Sequence, residues 1–177
     1  VDDWEFYVNT MGVEYITCLD SLFTMPKRRL LEVCDLIIER NLKIKWICYA
    51  RADDLIDEST VMLMKKAGAH QVQIGIESGS QLMLDNMNKR CTVEANLKAI
   101  ENCKKHGLTT MVTLIVGFPG ETDETIESSF QFMKTAQPDF YFIATFSTRV
   151  NDVPVLNKVN RERFGMRTMD NQLTFAP

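Results

Sequence analysis

The sequence predicts an α/β domain of parallel (β/α) repeats, arranged either as a doubly wound sheet or as part of a (β/α) barrel. Three observations carry that prediction. Five short β-rich segments alternate with helical patterns; helix punctuation falls at the boundaries between them; and polar residues gather where the strands end.

The β-rich segments span residues 12–19, 43–50, 70–77, 109–118 and 139–146. Helical patterns, with apolar residues recurring three and four apart, span 27–40, 58–67, 81–86, 93–106 and 123–135. Thr24 precedes Pro26 near a first turn, Asp57 precedes Glu58, and Thr92 precedes Glu94, as helix starts require. The stretches "KKAG" and "KKHG" place lysines and then glycine at helix C-termini. Strands joined by helical crossovers have to run parallel, which gives the fold class.

Length and charge narrow the function. A chain of 177 residues forms one domain with a sizeable core, and 45 % hydrophobic with 25 % charged residues describes an ordinary globular protein. A net charge of −4 leaves no basic footprint for phosphate backbones, so nucleic acid is not expected as a partner. No apolar run is long enough for a bilayer and no signal-peptide pattern opens the chain, so no membrane association and a cytoplasmic location are expected. The five cysteines, Cys18, Cys34, Cys48, Cys91 and Cys103, match no metal-knuckle spacing and read as reduced thiols packed like small hydrophobes. His70 and His106 read as capping or solvent-exposed groups, and methionines such as Met62, Met64, Met83 and Met87 as packing.

The residues ending the strands are the candidate ligand site, because parallel α/β folds bind ligands there. They are Asp20 and Ser21 after the first strand, Arg51 and Asp53 after the second, and Glu77 and Ser78 after the third. The fourth strand runs into "GFPGET", which includes Gly117 and Glu121. Glu77 could form an ion pair with Arg51, or it could meet a cationic ligand group, with Gly75 and Gly79 permitting close approach. The loop "GFPGETDET" has the glycines of a phosphate cradle. Glu121, Asp123 and Glu124 already occupy the positive end of its helix, so a cation or zwitterion suits it better.

In order, "YITCLDSLFT", "WICYARADDLIDESTVMLMKKAGAHQVQIGIESGSQLMLDNMNK", "TVEANLKAIENCKKHG" and "IVGFPGETDETI" closely resemble the radical S-adenosylmethionine (radical SAM) superfamily, particularly its cobalamin-domain-bearing subgroup. The resemblance implies a partial (β/α) barrel and reductive cleavage of S-adenosylmethionine by a [4Fe–4S] cluster to a 5′-deoxyadenosyl radical. It further implies a small-molecule substrate and a reductant protein for the full-length enzyme, and cobalamin as a further cofactor. Carried onto this chain, it places Asp20 and Ser21 near the amino group of S-adenosylmethionine, and Arg51, Glu77 and Ser78 along its pocket. The stretch from Gly117 to Glu121 falls beside the adenine. No catalytic residue and no metal ligand is assigned within the chain.

The family's Cys-x-x-x-Cys-x-x-Cys follows a first strand that this chain does not show. Residues 1–150 are therefore expected to form the barrel part without that strand, and 151–177 a C-terminal extension, weakly structured or packing on the barrel. The family's Pro-Gly-Thr turn after the last strand is replaced by "STRVNDVPVLNKVNRERFG". The chain reads as a fragment of a longer enzyme, a cobalamin-dependent methyltransferase or an oxidative cyclase of the Mg-protoporphyrin ester type, with the fragment itself inert. Two alternatives are a metal-independent (β/α) lyase or hydrolase using Glu77 and Arg51, and a non-catalytic binding module.

Overall fold

The computed structural model describes residues 1–147, 154–169 and 172–175. Its centre is a parallel sheet of β1 (Tyr15–Thr17), β2 (Lys45–Ala50), β3 (Ala69–Glu77), β4 (Thr109–Val116) and β5 (Phe140–Thr145), in the order of the chain. The sheet curls as a half-barrel. Helix α1 (Asp2–Met11) leads in, and α2 (Lys27–Glu39), α4 (Glu58–Lys66), α6 (Val93–Lys105) and α7 (Asp123–Ala136) are the crossovers. Two shorter helices, α3 (Ala52–Leu55) and α5 (Gln81–Asn86), follow the ends of β2 and β3. The four residues of α3 are too few to show periodicity, so the sequence pattern passed over them.

Period-two alternation decides which face is buried. Trp46, Cys48 and Ala50 of β2, Val72, Ile74 and Ile76 of β3, and Val112 and Leu114 of β4 pack against Leu30, Cys34, Ile37, Val61, Met64, Ile100 and Cys103 from the helices. Their alternates, among them Tyr49, Gln73, Gly75 and Thr113, stay more accessible on the inner face of the curl. Trp46 is fully buried and donates its indole N–H to the Ala67 carbonyl at 2.9 Å. Gly68, at φ +91°, lets that turn pass against the Ile44 carbonyl, where a Cβ would collide with it.

The helix starts follow the expected chemistry with one exception. The Asp57 side chain accepts from the Ser59 N–H, Thr92 from Ala95, and Thr122 forms a reciprocal capping box with Thr125. Thr24 instead donates across the fold to Asp54 at 2.6 Å, leaving Pro26 at the N-cap of α2. His70 also departs from expectation: it lies in β3, edge-on to the Tyr15 ring, rather than at a helix end. His106 does sit at the C-cap of α6, 2.8 Å from Glu58.

After β5 come a 3-10 turn (Pro154–Leu156), α8 (Lys158–Arg163) and an antiparallel hairpin of β6 (Met166–Met169) and β7 (Gln172–Phe175). The expected domain limit at residue 150 and the start of the extension at 151 lie outside the described residues. Among the described residues, no helix is long and apolar enough to cross a membrane.

Candidate functional site

The site is built at the C-terminal ends of β1 to β4, and its centre is an irregularity in β3. The β3–β4 register shifts between Gly75 and Glu77, and Glu77 adopts φ 65°, a left-handed conformation unusual for a residue with a Cβ. This turn brings the Glu77 carboxylate back over the face of Gly75, where a Cβ would lie 2.6 Å from Glu77 Oε1 and 3.1 Å from Lys89 Nζ. Gly75 is thus the empty position that lets a carboxylate and an ammonium meet beside the strand.

The partner of Glu77 is Lys89. Its Nζ donates to Glu77 Oε1 at 2.8 Å, with the two side chains 29 % and 19 % exposed. This corrects the expected Glu77–Arg51 pair, since Arg51, at the N-cap of α3, turns to Asp53 in the first turn of that helix, 2.8 Å away. Lys89 escaped the sequence reading because it sits in the loop after α5. Its signal is "NMNKRC", a polar run in which Asn88 and Arg90 both take positive φ, 52° and 55°.

The other candidates divide. Asp20 and Ser21 are exposed beyond β1, and Asp20 lies 3.8 Å from Arg29 of α2, a loose surface pair. Ser78 is buried; its hydroxyl lies 3.1 Å from that of Ser129 on α7 and accepts from the Ser80 N–H. It ties the strand end to α7. Gly79 serves the same junction: a Cβ there would meet Phe132 Cβ at 2.5 Å and Ser129 Cα at 2.7 Å, so its small size admits a helix rather than a ligand. Gly117, at φ 77°, donates its N–H to Glu121 Oε2 at 2.6 Å, so Glu121 folds back to fix its own loop. Thr122 and Thr125 cap each other, and Asp123 and Glu124 set two carboxylates in the first turn of α7, where a phosphate would meet like charge.

Cys18, Cys34 and Cys103 are buried, and burial pushes their thiols up to about 12; burial also raises Cys48 strongly. Cys91 is partly exposed, and burial raises it too. Thiols held protonated in this way are poor metal ligands. Among the described residues no group of three His, Cys, Asp or Glu could hold a metal ion. The residues present therefore do not fit a [4Fe–4S] cluster. The adjoining carboxylate and ammonium over Gly75 place an acceptor and a donor at the strand end, bonded to each other at 2.8 Å.

The radical SAM superfamily profile matches residues 5–133. The chain is 34 % identical over 140 residues to the anaerobic magnesium-protoporphyrin IX monomethyl ester cyclase of Rubrivivax gelatinosus, covering 78 % of this chain and 25 % of that protein. It is also 34 % identical over 136 residues to an uncharacterized methyltransferase of Pyrococcus horikoshii, covering 76 % and 29 % respectively. In architecture it is similar to a radical S-adenosylmethionine methyltransferase of Kitasatospora setae, solved with cobalamin and a [4Fe–4S] cluster bound. That likeness has a TM-score of 0.74 at 20 % identity, over 81 % of this chain and 29 % of the other. The chain thus spans between a quarter and a third of the length of each of these proteins.

Proposed function

The chain belongs to the radical SAM superfamily, and from that premise we propose that its strand ends form the wall of an S-adenosylmethionine pocket in a larger enzyme. The observation that carries the proposal is the Glu77–Lys89 pair over Gly75, held at 2.8 Å by a left-handed residue at the end of β3. A purely structural strand end has no need of a carboxylate at φ 65°, where glycine would be unstrained. S-adenosylmethionine carries a carboxylate, an ammonium and ribose hydroxyls. Lys89 can donate to the first of these, and Glu77 can accept from the other two.

In the full-length enzyme a bound [4Fe–4S] cluster would supply the electron for reductive cleavage of the sulfonium. This chain contributes binding and orientation to that chemistry. Glu77 and Lys89 hold opposite charges in one place, Gly75 leaves room for the ligand's approach, and the loop fixed by Glu121 borders the same end of the sheet. The full-length enzyme is proposed to act on a small molecule with a protein reductant, as a methyltransferase or an oxidative cyclase, with cobalamin as a further cofactor. The names of the Rubrivivax and Pyrococcus relatives support the two reaction types, and the Kitasatospora structure supports cobalamin.

The test has two parts. Calorimetric titration of this chain with S-adenosylmethionine should show saturable one-site binding, and its absence would remove the reading. Anaerobic reconstitution with iron and sulfide, followed by dithionite, should yield no 5′-deoxyadenosine from this chain. Its formation would show that this chain itself holds a cluster.

A further inference from the structure

Residues 154–165 run across the loop that follows β4 and across the end of α5. The crossing rests on several separate contacts. Arg163 Nη2 donates to Asn86 Oδ1 at 2.7 Å, and its guanidinium lies 4.9 Å from the centre of the adjoining Phe164 ring. Phe164 meets Phe118 edge-on at 6.3 Å between centroids, and Phe118 meets Phe146 at 4.9 Å. Gly120 is pressed between the two sides: a Cβ there would lie 2.9 Å from Asn86 Nδ2 and 3.3 Å from Phe164 Cδ1. The segment is braced within itself, since Arg161 Nε donates to the Leu156 carbonyl at 2.6 Å and Asn160 Nδ2 to the Pro154 carbonyl at 2.8 Å. Leu156 is buried.

What the segment joins matters. On one side is the loop in which Glu121 holds the Gly117 N–H. On the other is α5, a helix of six residues that runs directly into the loop carrying Lys89. That loop contains two non-glycine residues at positive φ, Asn88 and Arg90, and such conformations persist only where the surroundings over-determine them. A short helix supplies little constraint of its own. Lys89 itself is held by Glu77 and Cys91 by Gln81, and Arg163 on Asn86, the last residue of α5, adds a constraint from the far end of the chain.

We infer that Arg163 and Phe164 are positioning residues that clasp the Glu121 loop to α5. They thereby set the spacing of that loop from Lys89 and the closeness with which the site fits a zwitterionic ligand. The inference rests on the reading of the site given above, but its structural half can be measured without any ligand.

Hydrogen exchange read by mass spectrometry, on the wild-type chain and on Arg163→Ala, Phe164→Ala and Gly120→Ala, tests it. Gly120→Ala presses on the same contact from the opposite side and, at φ +88°, also strains the loop after β4 directly, so its weight in the test lies in residues 86–92. In each variant, exchange in residues 86–92 and 117–122 should quicken together by about tenfold, the factor expected from losing one aromatic or polar anchor, while β2 and β3 stay as protected as before. S-adenosylmethionine affinity should fall by a similar factor, and Phe164→Tyr should restore both readings. Faster exchange confined to residues 154–165 would overturn the clasp, and so would a uniform rise that includes β2 and β3. Coupled loops in a wild-type chain that does not bind S-adenosylmethionine would leave the clasp standing and remove the ligand reading instead.

Discussion

Replacing Glu77 with glycine should separate stability from ligand binding. At φ 65° a residue with a Cβ costs about 1–2 kcal/mol relative to glycine, and the substitution returns that amount. Against it stand about 0.4–1 kcal/mol for the greater freedom of glycine in the unfolded chain and about 0–1 kcal/mol for the lost ion pair. The pair can be lost at so small a cost because Lys89, 29 % exposed, can turn its ammonium to water. The opposing contributions largely offset, and Glu77→Gly should change stability by no more than about 1.5 kcal/mol in either direction. Truncating its fully buried neighbour Ile76 to alanine should by contrast cost about 2–5 kcal/mol. Affinity for S-adenosylmethionine should fall at least about tenfold in Glu77→Gly and also in Glu77→Gln, since a hydrogen bond to a charged group contributes about 1.5–3 kcal/mol. Urea unfolding and calorimetric titration of the same three variants give both quantities. A stability loss above about 2 kcal/mol for Glu77→Gly would show that the ion pair outweighs the strain relieved there, and unchanged affinity would show that the carboxylate does not face the ligand.

Gly79→Ala should be strongly destabilising, by about 1–3 kcal/mol or more in urea, because the new methyl would meet α7 backbone and the Phe132 Cβ rather than a flexible tip. Gly75→Ala meets only the ends of Glu77 and Lys89; it should leave the urea midpoint nearly unchanged while weakening S-adenosylmethionine binding. A thiol reagent at neutral pH should label Cys91 alone in the native chain and reach Cys18, Cys34, Cys48 and Cys103 only on unfolding. Below pH 9.0 those buried thiols are protonated in both states and add no pH dependence. Above it the unfolded thiols ionise while Cys18, Cys34 and Cys103 stay protonated to about 12. Stability should therefore fall as pH rises through that window, by on the order of 1 kcal/mol per thiol per pH unit. A flat alkaline profile in chemical denaturation would refute the burial of those thiols.

Much of the fold was legible because each level of the sequence repeats the same message. In β3, "HQVQIGIE" places Val72, Ile74 and Ile76 on one face, and the structure buries all three completely. Helix α5 falls at Gln81–Asn86 as the pattern predicts, and the starts of α4 and α6 follow Asp57 and Thr92. The site was legible only as a set of strand ends. Glu77 was visible, but its partner was misread because Arg51 and Lys89 are equally basic in sequence, and loop geometry alone turns the first toward Asp53 and the second toward Glu77. Ser78 looked ligand-facing because polar residues at strand ends usually are, yet the shift in register at Gly75 and Glu77 turns it to α7.

The sequence by itself determined the alternation of strands and helices, the buried face of the sheet and the family to which the chain belongs. These depend on periodicity and on short motifs, which are local properties of the chain. Only the tertiary structure decided which charges meet over Gly75, which glycines make room for a helix rather than a ligand, and that Arg163 and Phe164 return to touch α5 and the loop after β4. Such pairings join positions far apart in sequence, and long flexible side chains such as Lys89 and Arg163 take their partners from the geometry in which the folded backbone leaves them.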